Sequence, residues 1–192
     1  SNAVRAGVGM QKALRALNAE LEVRGEQQLQ MGIGVHRGPL MLGTVGSLKR
    51  METTVIGDTV NLASRIEGAT KMFHANLLVT AQILEGLADP AEFTGRCIGR
   101  LRVKGKEEPA TVFEVLEADA PALAAAKKST VVQFHLAINA YFDGDFESAA
   151  TLFAACAEAV PDDRLAKAYA EQCAALAAQG PLQMDLFGDS ED

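Results

Sequence analysis

Asn61 and Arg65 stand four residues apart, the spacing that stacks two side chains on one face of a helix. Each projects hydrogen-bond donors, and the guanidinium adds a fixed positive fork that suits phosphate oxygens. Downstream, Lys104-Gly-Lys106 reads as a turn that sets two ammonium groups beside each other. This is a donor set for a polyanion. His36, His74 and His135 lack metal-ligand spacing, and the Walker pattern ending in Gly-Lys-Ser/Thr is absent, so neither a histidine metal site nor a P-loop is expected.

The elements that must position the pair lie in Thr53-Thr-Val-Ile-Gly-Asp-Thr-Val-Asn-Leu-Ala-Ser-Arg-Ile-Glu67. The β-branched run Thr53 to Ile56 predicts a buried strand. Gly57 allows the chain to turn, and Asp58 is expected to cap the following helix. From Thr59 the period becomes helical, with Leu62, Ala63, Ile66, Ala69 and Phe73 on one apolar face.

Thr-Val-Ile-Gly-Asp-Thr-Val-Asn-Leu-Ala-Ser-Arg resembles the signature of the class III nucleotidyl (adenylate/guanylate) cyclases. Gly32-Ile-Gly-Val-His-Arg-Gly-Pro39 and Arg102-Val-Lys-Gly-Lys106, followed by Thr-Val-Phe-Glu-Val, are similar to two further motifs of that family, in the family's order. The resemblance runs from about residue 10 to residue 117. It implies an α+β fold: a partial ferredoxin-like cyclase domain, a mixed sheet with helices, followed by a small α-helical hairpin. It also implies an intracellular signalling enzyme that converts ATP to cyclic AMP and pyrophosphate, as a head-to-tail homodimer with two Mg²⁺ or Mn²⁺ ions. Carried over by position, Asn61 orients the ribose and Arg65 stabilises charge at the α-phosphate. Lys104 or Lys106 holds the terminal phosphates, with Lys106 favoured. Thr54 falls at the base-reading position and implies ATP rather than GTP. The family's metal-binding aspartates have no match before Gln30, where the acids are Glu20, Glu22 and Glu26. The expectation is therefore a partial catalytic domain that binds neither ion and is inactive alone. A non-catalytic homologue serving protein interaction is the alternative.

Composition agrees with a soluble globular chain. Of 192 residues, 48% are hydrophobic and 22% charged. A net charge of −7 argues against nucleic-acid binding. No apolar run approaches the roughly 20 residues that cross a bilayer. A cytoplasmic location is expected, with any membrane anchor of a longer protein lying outside this sequence. Cys97, Cys156 and Cys173 are widely spaced and read as reduced thiols.

Residues 1–3 look like a tag remnant and 4–117 form the cyclase part. Within it, Val8 to Leu21 is an amphipathic helix that Gly25 ends, and Gln30 to His36 alternates as a strand. Leu48 to Glu52 reads as a protruding polar loop, at the place where the family has an arm that pairs two domains. Asn76 to Thr80 is a buried strand, with Thr80 capping a short helix through Leu87. Phe93 to Val103 reads as a strand pair or hairpin arm, and Pro109 to Leu116 as the last strand of this part. Residues 118–130 read as a linker or linker-helix. Residues 131–180 form a helical segment that looks like one tetratricopeptide-type unit, packing on the cyclase part or on a protein partner. Residues 181–192 are an acidic tail expected to fray.

Overall fold

A computed structural model describes residues 2–47, 50–101 and 109–179. Its elements run in the order α1 (Asn2–Val23), β1 (Ile33–Val35), β2 (Met41–Ser47), β3 (Arg50–Ile56), α2 (Asp58–Met72), β4 (Leu77–Thr80), α3 (Ala81–Glu85), β5 (Gly95–Leu101), β6 (Ala110–Val115), α4 (Pro121–Phe142), α5 (Phe146–Ala159) and α6 (Arg164–Gln179). A mixed four-stranded sheet has the order β1-β4-β6-β5, with β1 and β4 parallel and the other pairs antiparallel. β2 and β3 form a separate antiparallel ribbon.

Alternation along the strands divides the core into two layers. Leu77 and Val79 of β4 and Val115 of β6 face one side, where Val4 of α1 and Ile83 of α3 cover them. Leu78 and Val112 face the other, where Ile66 and Phe73 meet Phe134, Phe153 and Tyr169 of the last three helices. Those helices therefore pack on the sheet itself. Tyr169 donates its hydroxyl to the Ile98 carbonyl at 2.5 Å, and its ring stacks on Phe153 with centroids 4.8 Å apart.

Five buried charged groups tie the same layers together. Arg96 and Glu114 are directly opposed across β5 and β6. The Arg96 guanidinium donates to Glu114 Oε2 at 2.9 and 2.6 Å, reaches both oxygens of Asp163, and lies 4.0 Å from the Phe134 ring centre. Lys127 of α4 donates to Glu114 Oε1 and Asp119 Oδ2, each at 2.7 Å. Asn76 completes Asp119 at 2.7 Å, and Ala166 N–H donates to Asp163 at 3.2 Å at the start of α6. Burial alone would raise the Asp163 carboxyl, but the hydrogen bonds and charge of Arg96, with Lys127, hold it below the usual carboxylate range.

Several sequence expectations change. The strand expected over Thr53–Ile56 extends back to Arg50, which takes residues from the expected loop, and it is not buried: Val55 is 44% exposed because β3 pairs only with β2. Thr80 makes no side-chain cap; its hydroxyl lies 2.9 Å from His36 Nδ1 instead. α1 begins at Asn2, so two residues of the presumed tag are helical. The stretch 121–130 takes the linker-helix form, as the first half of α4. Gly25, at φ 68°, ends α1 as expected through a bond from Glu26 N–H to Leu21 O, and Gly144, at φ 80°, turns α4 into α5. All three cysteines are free thiols. The acidic tail lies outside the described residues.

Replacing Asp163 with alanine leaves Arg96 buried and half-paired, and should cost about 3–5 kcal/mol in denaturant unfolding. An exposed control, Glu147→Ala, should cost far less. A second outcome concerns pH. β5 is an edge strand, and His135 of α4 accepts its outward Cys97 N–H at 3.0 Å through Nε2, which requires neutral imidazole. Burial, then the Arg96 charge, holds this histidine below its usual value of 6.5. The unfolded chain thus binds a proton that the folded chain refuses, and stability falls as pH drops below about 6.5. His74 acts in the same sense, through burial and then Arg164. His135→Gln should therefore shallow the pH dependence of the melting temperature without abolishing it.

Candidate active site

α2 carries the donor pair. Gly57 precedes it at φ 151°, a conformation that excludes a side chain at little cost only for glycine. Asp58 is the first helical residue and makes no side-chain cap; it places a carboxylate in the first turn, where the helix dipole favours it. Instead Thr59 Oγ1 donates to the Pro39 carbonyl, fastening the loop after β1 to the start of α2.

Leu62, Ile66, Ala69 and Phe73 are buried, as the helical period predicts, while Asn61 and Arg65 are exposed. The Asn61 amide makes no side-chain hydrogen bond among the described residues. Thr54 is half-buried on β3, opposite Gly43 of β2, on the strand that leads through Gly57 into α2. Lys104 and Lys106 lie outside the described residues. Their segment joins the paired ends Leu101 and Ala110 of the β5–β6 hairpin.

The helix is held by backbone contact. Gly32 and Gly34, two apart and so on one face, lie against α2. A Cβ on Gly34 would strike Glu67 N and stand 2.7 Å from Ala63 O; one on Gly32 would strike the Thr70 side chain. Residues 63, 67 and 70 form one helical stripe, so at Gly34 the backbone of β1 meets the backbone of α2 directly, while Gly32 leaves room for the Thr70 side chain. The Gly-x-Gly spacing is the sequence signal for this seat, which the alternation of Gln30–His36 alone does not reveal. His36, inside the same motif, braces β1 to β4 through Thr80.

Among the described residues, no three His, Cys, Asp or Glu side chains gather as a metal shell. The described residues therefore supply no ligand set for a pair of catalytic ions.

Comparison with known proteins identifies the family. The family model for the adenylate and guanylate cyclase catalytic domain matches residues 1–115. The chain belongs to the class III adenylate/guanylate cyclase family. It is 42% identical over 118 residues to an adenylate cyclase of Anabaena cylindrica, covering 59% of this chain and 24% of that protein. It is 29% identical over 175 residues to the terminal-differentiation specific adenylate cyclase of Dictyostelium discoideum, covering 90% of this chain and 8% of that one. The crystal structure of the guanylyl cyclase Cya2 superposes with a TM-score of 0.51 at 33% identity, over 62% of this chain and 58% of that one. The chain thus spans a quarter or less of the length of these curated relatives. No helix among the described residues is long and apolar enough to cross a membrane.

Gly34→Ala tests the seat of α2. Forcing a methyl into this contact should destabilise the fold by about 1–3 kcal/mol, measured by thermal or urea unfolding. Gly68→Ala, on the open side of the same helix, meets nothing and should be neutral or stabilising.

Proposed function

We propose that the chain is part of an adenylate cyclase that converts ATP to cyclic AMP and pyrophosphate. The ribose 3′ oxygen attacks the α-phosphorus and loses its proton. The bond from that phosphorus to the bridging oxygen of the β-phosphate breaks, and pyrophosphate leaves with the electron pair. Family membership supports the reaction class. The observation that carries the residue assignment is the outward, exposed placement of Asn61 and Arg65 on a helix whose opposite side is buried.

In this reading Asn61 hydrogen-bonds the ribose and sets the 3′ oxygen in line. Arg65 neutralises charge growing on the α-phosphate, where a fixed guanidinium needs no reorganisation as the reaction proceeds. Lys106, or Lys104 beside it, holds the terminal phosphates. Thr54 reads the base and favours adenine. The site is completed by a second copy in a homodimer. Metal ions, when bound, supply charge neutralisation across the phosphates, and their ligands come from outside this chain.

The experiment uses the longer cyclase with ATP and Mn²⁺ or Mg²⁺. Arg65→Ala should lower kcat about 10²–10³-fold with the fold retained. Unchanged turnover would remove Arg65 from the site. Cyclic AMP production by the 192-residue chain alone would overturn the assignment of the metal ligands to residues outside it.

A further inference from the structure

Apart from the α2 corner, the described residues leave an open cleft of about 350 Å³ between the β5–β6 hairpin and α4. A bulge builds its sheet wall. Cys97 pairs with Phe113 and Gly99 with Val112, so Ile98 is an extra residue and turns into the core. Cys97 and Arg100, three apart, would point to opposite faces of a regular strand. The added residue restores them to one face, above Phe113 and Thr111.

The helical wall is a stripe at 135, 138, 139 and 142, the spacing of one side of α4. Phe142, with Phe113 of the sheet wall, gives it apolar surface, and the Arg100 guanidinium lies 4.2 Å from the Phe142 ring centre. What distinguishes the cleft is its polar chemistry. Arg100 has no ion-pair partner among the described residues, in a chain of net charge −7. His135 spends Nε2 accepting the Cys97 N–H, so its proton is on Nδ1, where it can only donate. The Asn139 amide and Thr111 hydroxyl make no side-chain hydrogen bond among the described residues, and no carboxylate lines the space.

We propose that this cleft binds a small carboxylate with an aromatic or branched apolar body. The carboxylate meets Arg100, the His135 Nδ1–H and Asn139; the body lies on Phe113 and Phe142. The volume falls at the low end of the range for small-molecule sites. Leu101 alone separates Arg100 from the segment that carries Lys104 and Lys106.

The test titrates the ¹⁵N-labelled chain with benzoate, benzamide and inorganic phosphate while amide shifts are followed. Benzoate should give saturable shifts at Cys97, Arg100, Thr111 and Asn139, with benzamide and phosphate each at least about tenfold weaker. Arg100→Gln should weaken benzoate by a similar factor. Asn139→Asp, an exposed change that sets a like charge among the donors, should abolish it. No saturable shift with benzoate overturns the proposal, as does equal binding of phosphate, or binding that survives both substitutions. No nucleotide turnover enters this test, so its failure is distinct from a failure of the cyclase assignment.

Discussion

An arginine with no access to water sits at the centre of this fold, and much else follows from how it is neutralised. Arg96 projects from an edge strand, a place where a charged side chain ordinarily reaches solvent. Here α4, α5 and α6 cover it, so each of its charge-bearing contacts must come from protein. On the neighbouring strand Glu114 accepts two of its hydrogen bonds, and at the start of α6 Asp163 accepts two. Lys127 then offsets the surplus negative charge by bridging Glu114 to Asp119. Desolvating five ions gives little net stability, because attraction mostly repays what removal from water costs. What such a network contributes is uniqueness: a sliding helix would leave a buried ion unpaired.

The consequence reaches α2. One side of that helix rests on β1 through glycine-to-backbone contact, and Ile66 and Phe73 enter the core that also contains Phe134 and Tyr169. Gly99 shows how tight the junction is, since a Cβ there would stand 3.3 Å from the Phe73 ring and 3.5 Å from Tyr169 Oη. The helix is thus held on two sides by groups that cannot readily yield. Its remaining side carries Asn61 and Arg65. Donors that act on a developing charge are effective when their positions are set beforehand, and this packing sets the backbone beneath them.

Much of this was legible in the sequence, and the failures share a cause. The 3.6-residue period placed the buried and outward sides of α2 correctly, because that helix buries one stripe and exposes the rest. The motif order led to the family for the same local reason. Asp58 and Thr80 were misread as caps because cap preference is local, whereas Gly57 already ends the turn and His36 claims the Thr80 hydroxyl. Thr53 to Ile56 has strand composition but lies in a two-stranded ribbon, and composition does not say what covers a strand. Nothing local marks Arg96 and Lys127 as buried, since their partners Asp163 and Glu114 are 67 and 13 residues away.

The last three helices show the same limit of local sequence. Their sequence offers alanine-rich periodicity and a glycine turn, which fits a free-standing hairpin as well as a docked one. Two details exclude the free-standing form. Phe134, Phe153 and Tyr169 are buried together with residues of the sheet and α2, and the Asp163 that begins α6 is also the counter-ion of a β5 arginine. A helix whose first turn depends on a charge in the sheet is not an appendage. The Dictyostelium relative matches across 90% of this chain, and so across most of these helices as well as the residues that match the cyclase family model. Asp163 holds Arg96 of β5, and Tyr169 of α6 shares a core with Phe73 of the helix that presents Asn61 and Arg65, so the tail is part of the same packed body.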